Sequence, residues 1–175
     1  MAKLDRLIIR PACLDDLETL VRFSAAMAAE TEGRTLDVQR LRLGTASVFE
    51  SPHRGFYRVA EIPGPPAKHV IGQLLITFEW SDWRNANFWW IQSLYVEPKW
   101  RRRGVYRRMH EAILTEARSR PDVCGVRLYV ERENRVAQAA YDHVGLSRSV
   151  YQVFEEDFVL PLRDGARSST DEEKE

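Results

Sequence analysis

Apolar residues along the chain occur both as short runs and as stripes spaced three or four positions apart. Stripes of the second kind predict helices over four segments: Asp15 to Gly33, Asp37 to Phe49, Gly104 to Arg118 and Asn134 to Gly145. Runs bounded by Pro, Gly or polar residues predict seven strands: Leu7–Ile9, Phe56–Ile62, Val70–Trp80, Asn87–Val96, Val126–Val130, Val150–Phe154 and Phe158–Leu160.

The order of these elements indicates a fold class. Three strands follow one another from Phe56 to Val96 without a helix between them, which favours antiparallel pairing. The strand–helix–strand unit that follows favours one parallel crossover. We therefore expect an α/β (α+β) domain over residues 1–162 with a mixed, mostly antiparallel sheet of about seven strands. Residues 163–175 are polar and charged and predict a disordered tail.

Composition and charge narrow the function classes. The chain has 175 residues, of which 44% are hydrophobic and 30% charged, which is typical of one globular domain. Its 26 basic and 26 acidic side chains cancel, which disfavours a protein that coats nucleic acid or an anionic membrane. Cys13 and Cys124 match no metal-ligand spacing and are interpreted as reduced thiols. Without a signal-peptide or membrane-span pattern, a cytoplasmic location is expected.

The segment most informative about chemistry is Ile91 to Tyr106. A strand ends at Pro98 and leads through an arginine-rich loop into a helix. Helix starts carry unpaired N–H groups and partial positive charge, and Gly104 lets the backbone approach a ligand closely. The pattern favours a pyrophosphate-binding loop formed by Arg101, Arg102, Arg103, Gly104, Val105 and Tyr106. A solvated basic helix start is the alternative.

A second motif lies downstream, where Asn134, Ala137, Tyr141, Gly145 and Leu146 keep a fixed spacing. Together with the Arg-x-x-Gly loop after a Val-x-Pro strand end, it resembles the GNAT superfamily of N-acetyltransferases. The loop departs from the family pattern at one position, where Tyr106 stands in place of a small residue. The resemblance extends from Leu7 to about Phe154 and implies acetyl-CoA as co-substrate.

The resemblance also implies a mechanism. In this family the sheet is flanked by helices on both faces, and its fourth and fifth strands splay apart to admit the cofactor. Unpaired backbone groups near Leu94 and Val96 would bind it, and Asn134 would face it. The acceptor amine would attack the thioester directly. Tyr141 would then donate a proton to the departing thiolate, although a tyrosine of the core is the alternative interpretation.

The general base is less clearly indicated. Family members often place a glutamate on the fourth strand where this chain has Gln92, which cannot accept a proton at working pH. Glu79, on the neighbouring predicted strand, is the first substitute, acting directly or through water. It could equally be a solvated strand residue, and some enzymes of the family need no dedicated base.

The connection between the predicted strands Val70–Trp80 and Asn87–Val96 suggests which kind of acceptor the protein binds. Carboxylates and indole rings both attract cations, so a small cationic amine is expected near Glu79, Trp80, Asp82, Trp83 and Gln92. The alternative is a hairpin whose tryptophans cover the sheet edge while its carboxylates face water.

Two clusters of large apolar residues, most of them aromatic, suggest a homodimer, with core packing as the alternative. They lie at residues 88–90 (Phe88, Trp89 and Trp90) and near the C-terminus (Tyr151, Val153, Phe154 and Phe158).

The main alternative function is a CoA-binding sensor or interaction domain without catalysis. A nucleic-acid binder that stacks bases on Trp100 is a third interpretation, which the zero net charge disfavours.

Overall fold

The computed structural model describes residues 4–64 and 69–160 of the chain. Its strands are β1 (Ile8–Pro11), β2 (Phe56–Ile62), β3 (His69–Ser81), β4 (Ala86–Val96) and β5 (Val123–Leu128). Its α-helices are α1 (Leu17–Glu32), α2 (Val38–Glu50), α3 (Val105–Arg118) and α4 (Arg135–His143). Short 3-10 turns occupy Leu4–Arg6, Leu14–Asp16 and Pro98–Trp100.

The five strands form one mixed sheet in the order β1-β2-β3-β4-β5. The first four pair antiparallel, and β4 pairs parallel with β5. A parallel pair requires a crossover, and α3 provides it, as the strand–helix–strand pattern predicts. Because α3 follows β4 along the chain, its start lies at the end of the sheet where β4 ends.

The expectation of about seven strands is wrong for the described residues, which contain five. The segments Val150–Phe154 and Phe158–Leu160 form no strand, and most of their large apolar side chains are exposed. An apolar run becomes a strand only when a neighbouring strand pairs with it, which periodicity cannot show. The fifth strand begins three residues before its predicted start. Residues 65–68 and the predicted tail 163–175 lie outside the described residues.

Helices cover both faces of the sheet. On one face, α3 packs Met109 and Ile113 against Ile71, Trp89 and Ile91 of the central strands. The opposite face is covered by α1 and α2 in a second cluster, which includes Leu20, Phe23, Tyr57, Val59, Val70 and Tyr95. None of the helices in the described ranges is long and apolar enough to cross a membrane.

A buried group of charges fixes the start of α1 on the sheet. Arg10 of β1 donates to Asp16 at 2.7 and 2.9 Å and to Glu61 of β2 at 2.6 Å. Both carboxylates are almost fully buried. Asp16 also accepts the Cys13 N–H at 2.8 Å. The group therefore joins β1, β2 and the N-terminus of α1.

Candidate functional site

The parallel ladder between β4 and β5 ends before β4 does. Its last pair is Ile91↔Leu128, whereas β4 continues to Val96. Residues 92–96 therefore present one backbone edge that has no partner on β5, and an extended ligand can pair with such an edge. We refer to the opening beside residues 92–96 as the β4–β5 cleft.

A bulge bends β4 at the cleft. Gln73 of β3 pairs with Tyr95 and Leu75 pairs with Gln92, so β4 has one residue more than β3 between these pairs. Within the bulge Ser93 has a φ of 47°, a left-handed conformation that is uncommon for a residue other than glycine. The bulge breaks the regular ladder where the cleft begins.

A buried amide holds this bulge from the α1 side. The side chain of Gln73 is fully buried and donates from Nε2 to the Ser93 carbonyl at 3.3 Å and to Ser24 Oγ of α1 at 2.8 Å. The sequence reasoning missed both Gln73 and Ser24. The available signal was a glutamine within the apolar run of residues 70–76, where a buried polar group requires partners.

The loop that follows the cleft has the backbone expected for an anion site. After the turn at Pro98–Trp100, Arg102 and Gly104 adopt positive φ values of 58° and 80°. The first helical hydrogen bond of α3 runs from the Arg108 N–H to the Gly104 carbonyl at 3.1 Å. The N–H groups of residues 105–107 precede it and have no acceptor within the helix, so they are available to a phosphate group.

The three arginines of the loop have different surroundings. Arg101 donates to the Val96 carbonyl at 2.8 Å and to Glu30 of α1 at 2.6 Å. Arg103 lies 5.4 Å from the centre of the Trp100 ring, and Arg102 makes no side-chain hydrogen bond to the described residues. Arg101 therefore ties the loop to β4 and α1, whereas Arg102 and Arg103 are exposed and can turn toward a bound anion.

Replacing Arg102 and Arg103 together with Gln is expected to weaken acetyl-CoA binding about tenfold, because arginine–phosphate hydrogen bonds are charge-assisted. Isothermal titration calorimetry measures the change. The matched control replaces Arg40 and Arg42 of α2 with Gln, which removes the same charge from a remote surface. Equal affinities for the two double variants would contradict the assignment of the loop.

Tyr141 of α4 lies next to the start of α3. Its ring meets the ring of Tyr106 edge-on at 5.6 Å, and the Tyr106 ring lies 5.7 Å from that of buried His110. Burial raises the pKa of both tyrosine hydroxyls above the ordinary value, which is already well above neutral pH. Asn134 caps α4 by accepting the Ala137 N–H at 3.0 Å. The cap fixes the helix that carries Tyr141.

Glu79 belongs to a set of side chains on the sheet face that α1 and α2 cover. Its oxygens accept the Arg127 Nη1–H at 2.8 Å and the Trp90 Nε1–H at 2.5 Å. Trp90 stacks on Tyr129 with ring centres 4.3 Å apart. The sequence reasoning missed Arg127 and Tyr129, because their contacts with β3 and β4 join residues far apart in the chain.

The other residues predicted to bind the acceptor are divided between locations. Trp80 follows Glu79 along β3, so its side chain points to the opposite face, where it is 61% exposed. Asp82 and Trp83 lie in the β3–β4 turn, and Asp82 Oδ1 accepts the Trp83 N–H. Gln92 shares the face of Glu79 and donates to Thr77 Oγ1 at 3.4 Å. The structure thus brings Glu79 and Gln92 to one face.

Known proteins show the same fold. The model of the acetyltransferase (GNAT) family matches residues 26–146. A solved structure of a possible acetyltransferase from Clostridium difficile 630 is 36% identical, with a TM-score of 0.80 over 88% of this chain and 99% of that one. No curated protein matches the sequence.

Two more distant structures contain the co-substrate or its product. The aminoglycoside N-acetyltransferase AAC(6')-Iy in complex with CoA is 13% identical, with a TM-score of 0.69 over 87% of this chain and 95% of that one. A predicted acetyltransferase with acetyl-CoA from Clostridium acetobutylicum is 16% identical, with a TM-score of 0.67 over 86% and 96%. At these identities the likeness concerns the fold alone.

Proposed function

Because the chain belongs to the GNAT family of acetyltransferases, we propose that it transfers an acetyl group from acetyl-CoA to a primary amine of a small molecule. Acetyl-CoA is the co-substrate. The observation that carries the proposal is the edge of residues 92–96, which has no partner on β5 and is followed by the loop at the start of α3. One continuous segment thus offers backbone groups to an extended chain and N–H groups to its phosphates.

Different groups around the cleft would bind acetyl-CoA and take part in the acetyl transfer. Backbone groups of Leu94 and Val96 hold the extended part of acetyl-CoA, which supplies the thioester carbon that the amine attacks. The N–H of Leu94 or Val96 stabilises the negative charge that develops on the carbonyl oxygen. Tyr141, which is protonated at neutral pH and whose pKa is raised by burial, donates to the departing sulfur.

The acceptor ammonium must lose a proton before it can attack. We assign this step to Glu79, acting through water, with Gln92 as a polar contact on the same face. Two donors already bind the Glu79 carboxylate, but a carboxylate has about four acceptor sites, so room remains for a water molecule or the ammonium. The same carboxylate favours a cationic amine. Asp82 and Trp83 of the β3–β4 turn would attract such an amine from the end of the sheet, whereas Trp80 points to the other face.

The experiment that tests the proposed function is a thiol-release assay with acetyl-CoA over polyamines, amino acids, aminoglycosides and peptides with free N-termini. The expected result is amine-dependent release of CoA, with an acetylated amine identified by mass spectrometry. Binding of acetyl-CoA without turnover of any amine would favour the sensor or interaction domain instead. Release that does not depend on an amine would indicate hydrolysis and would contradict transfer.

Neutralising Glu79 and Asp82 together, as Glu79→Gln with Asp82→Asn, is expected to raise KM for a cationic amine about tenfold, because the carboxylates no longer attract the ammonium. The affinity for acetyl-CoA should stay within about twofold. The control pair is Asp15→Asn with Glu18→Gln at the start of α1. If the two double variants have the same KM, these carboxylates do not bind the acceptor.

We also propose a cytoplasmic homodimer. Two free cysteines, Cys13 and Cys124, suit a reducing compartment. The aromatic cluster at residues 88–90 gives little support for a dimer, because Trp89 is buried against α3 while Phe88 and Trp90 are half-buried. The support comes from the exposed apolar side chains after α4. They include Val150, Tyr151, Val153, Phe154 and Phe158.

Sedimentation velocity at micromolar concentration is expected to give a dimer. Replacing Phe154 and Phe158 with Ser should shift the dimer toward monomer, because burial of these rings would stabilise the interface. A monomeric wild-type protein would contradict the proposal.

A further inference from the structure

We propose that the amine acceptor also carries an anionic group, a carboxylate or a phosphate, and that Arg127 binds it. The inference rests on the proposed function and narrows its substrate class to amines that carry both charges. The contacts of Arg127 with Glu79 and Phe88 carry it.

Arg127 lies beside the opening of the β4–β5 cleft. It pairs with Trp90 of β4, and the next pair, Ile91↔Leu128, is the last of the ladder. One strand residue spans about 3.3 Å, so the backbone of Arg127 lies roughly that far from the point where the strands separate. Its side chain contacts Glu79 on the α1 face of the sheet. A group bound there would lie next to the cleft.

The guanidinium of Arg127 is held in place by its surroundings. Its central carbon lies 3.5 Å from the centre of the Phe88 ring, and Nη1 donates to Glu79. The Phe88 ring can occupy this position only because residue 125 is glycine, since a Cβ there would lie 2.7 and 3.0 Å from two ring carbons. Stacking and the hydrogen bond together fix the plane of the guanidinium, which lowers the entropy cost of binding a ligand.

Part of this fixed group remains available to a ligand. Within the described ranges only Nη1 of Arg127 donates a hydrogen bond, and the side chain is 32% exposed. The N–H groups on Nε and Nη2 form the fork that matches the two oxygens of a carboxylate or phosphate. A second guanidinium, that of Arg84, lies 5.0 Å from the same Phe88 ring and adds positive charge.

The pairing with Glu79 favours a ligand with both charges over a simple anion. An anion alone would approach the Glu79 carboxylate as well as Arg127, and a polycation would approach the guanidinium. A molecule with an ammonium and an anionic group can place each beside its opposite charge. The stacked rings of Trp90 and Tyr129, the latter 53% exposed, provide an apolar wall beside the pair.

Matched acceptors test the proposal by turnover. We compare kcat/KM for lysine with cadaverine, phenylalanine with phenethylamine, and phosphoethanolamine with ethanolamine. The member with the anionic group is expected to be preferred at least tenfold in one or more pairs, and the pair that shows it distinguishes carboxylate from phosphate. Arg127→Gln should abolish that preference by raising KM for the anionic member, whereas Arg127→Lys should retain part of it. The control, Arg120→Gln, removes an exposed arginine paired with Asp122 and should keep the full preference.

Calorimetric binding of the same compounds in the presence of CoA gives a readout that does not depend on turnover. Saturable binding of an anionic member that weakens at least tenfold in Arg127→Gln supports the inference, even if no amine is acetylated and the proposed function fails. Three results would overturn it: a preference for the members that lack the anionic group, an unchanged preference in Arg127→Gln, or no saturable binding of any member that carries it. Thermal melting and acetyl-CoA affinity confirm that each variant is folded.

Discussion

Tyr141→Phe is expected to lower kcat about 100-fold while KM for acetyl-CoA changes less than threefold. The hydroxyl acts on sulfur only as the carbon–sulfur bond breaks, so its removal affects the transition state far more than the bound ground state. Proton donation of this kind typically contributes about 10²–10⁴ in rate. Single-turnover kinetics with a preferred amine measures the chemical step separately from product release.

Tyr141→Phe removes the hydroxyl while the contacts of the ring remain. Phe retains the ring that meets Tyr106 edge-on, so the packing between α3 and α4 is preserved. Tyr151→Phe, at an exposed site after α4, is the matched control and should leave kcat unchanged. A single-turnover rate for Tyr141→Phe within twofold of the wild type would remove Tyr141 from the mechanism.

Arg10→Met is expected to lower the free energy of unfolding by about 3–5 kcal/mol, because it leaves the buried carboxylates of Asp16 and Glu61 without their cation. Urea denaturation followed by circular dichroism measures the loss. Arg42→Met is the matched control, since Arg42 pairs with Glu18 on the surface and both side chains are more than half exposed. Its cost should be about 0–1 kcal/mol.

The same charges predict how stability depends on pH. Burial alone would raise the pKa of Asp16, but hydrogen bonds from Arg10 and the Cys13 N–H outweigh it and hold the pKa below its ordinary value of 3.8. A carboxyl whose pKa is lower in the folded state contributes full stability above the unfolded pKa. That contribution is lost as the pH falls below about 3.8 through the folded value. A loss of equal size in Arg10→Met over the same pH range would contradict this role for the pair.

The four helices, the five strands and the loop at the start of α3 could be predicted from the sequence because the residue patterns that indicate them are local. Gly104, the helix spacing after it and the Asn134 cap each lie within a few residues of the structure they determine. The partners of Glu79 could not be predicted, because Arg127 lies 48 positions away and meets it only through the register of β3, β4 and β5. The prediction of strands after residue 150 was wrong for a related reason, since strand pairing is a long-range property that an apolar run does not encode.

The extra residue in β4 sets the phase of side-chain alternation along the strand. Before the bulge, Trp89 and Ile91 point into the α3-side core, whereas after it Leu94 and Val96 do so and Tyr95 joins the α1 side. Deleting Ser93 would restore plain alternation, because Gln92 would then be followed directly by Leu94. Leu94 and Val96 would stay in the α3-side core and Tyr95 on the α1 side, while the bulge beside the cleft would be lost. For natural variants and for protein engineering, Ser93 is therefore a position where removal of one residue is expected to alter the cleft and spare the core.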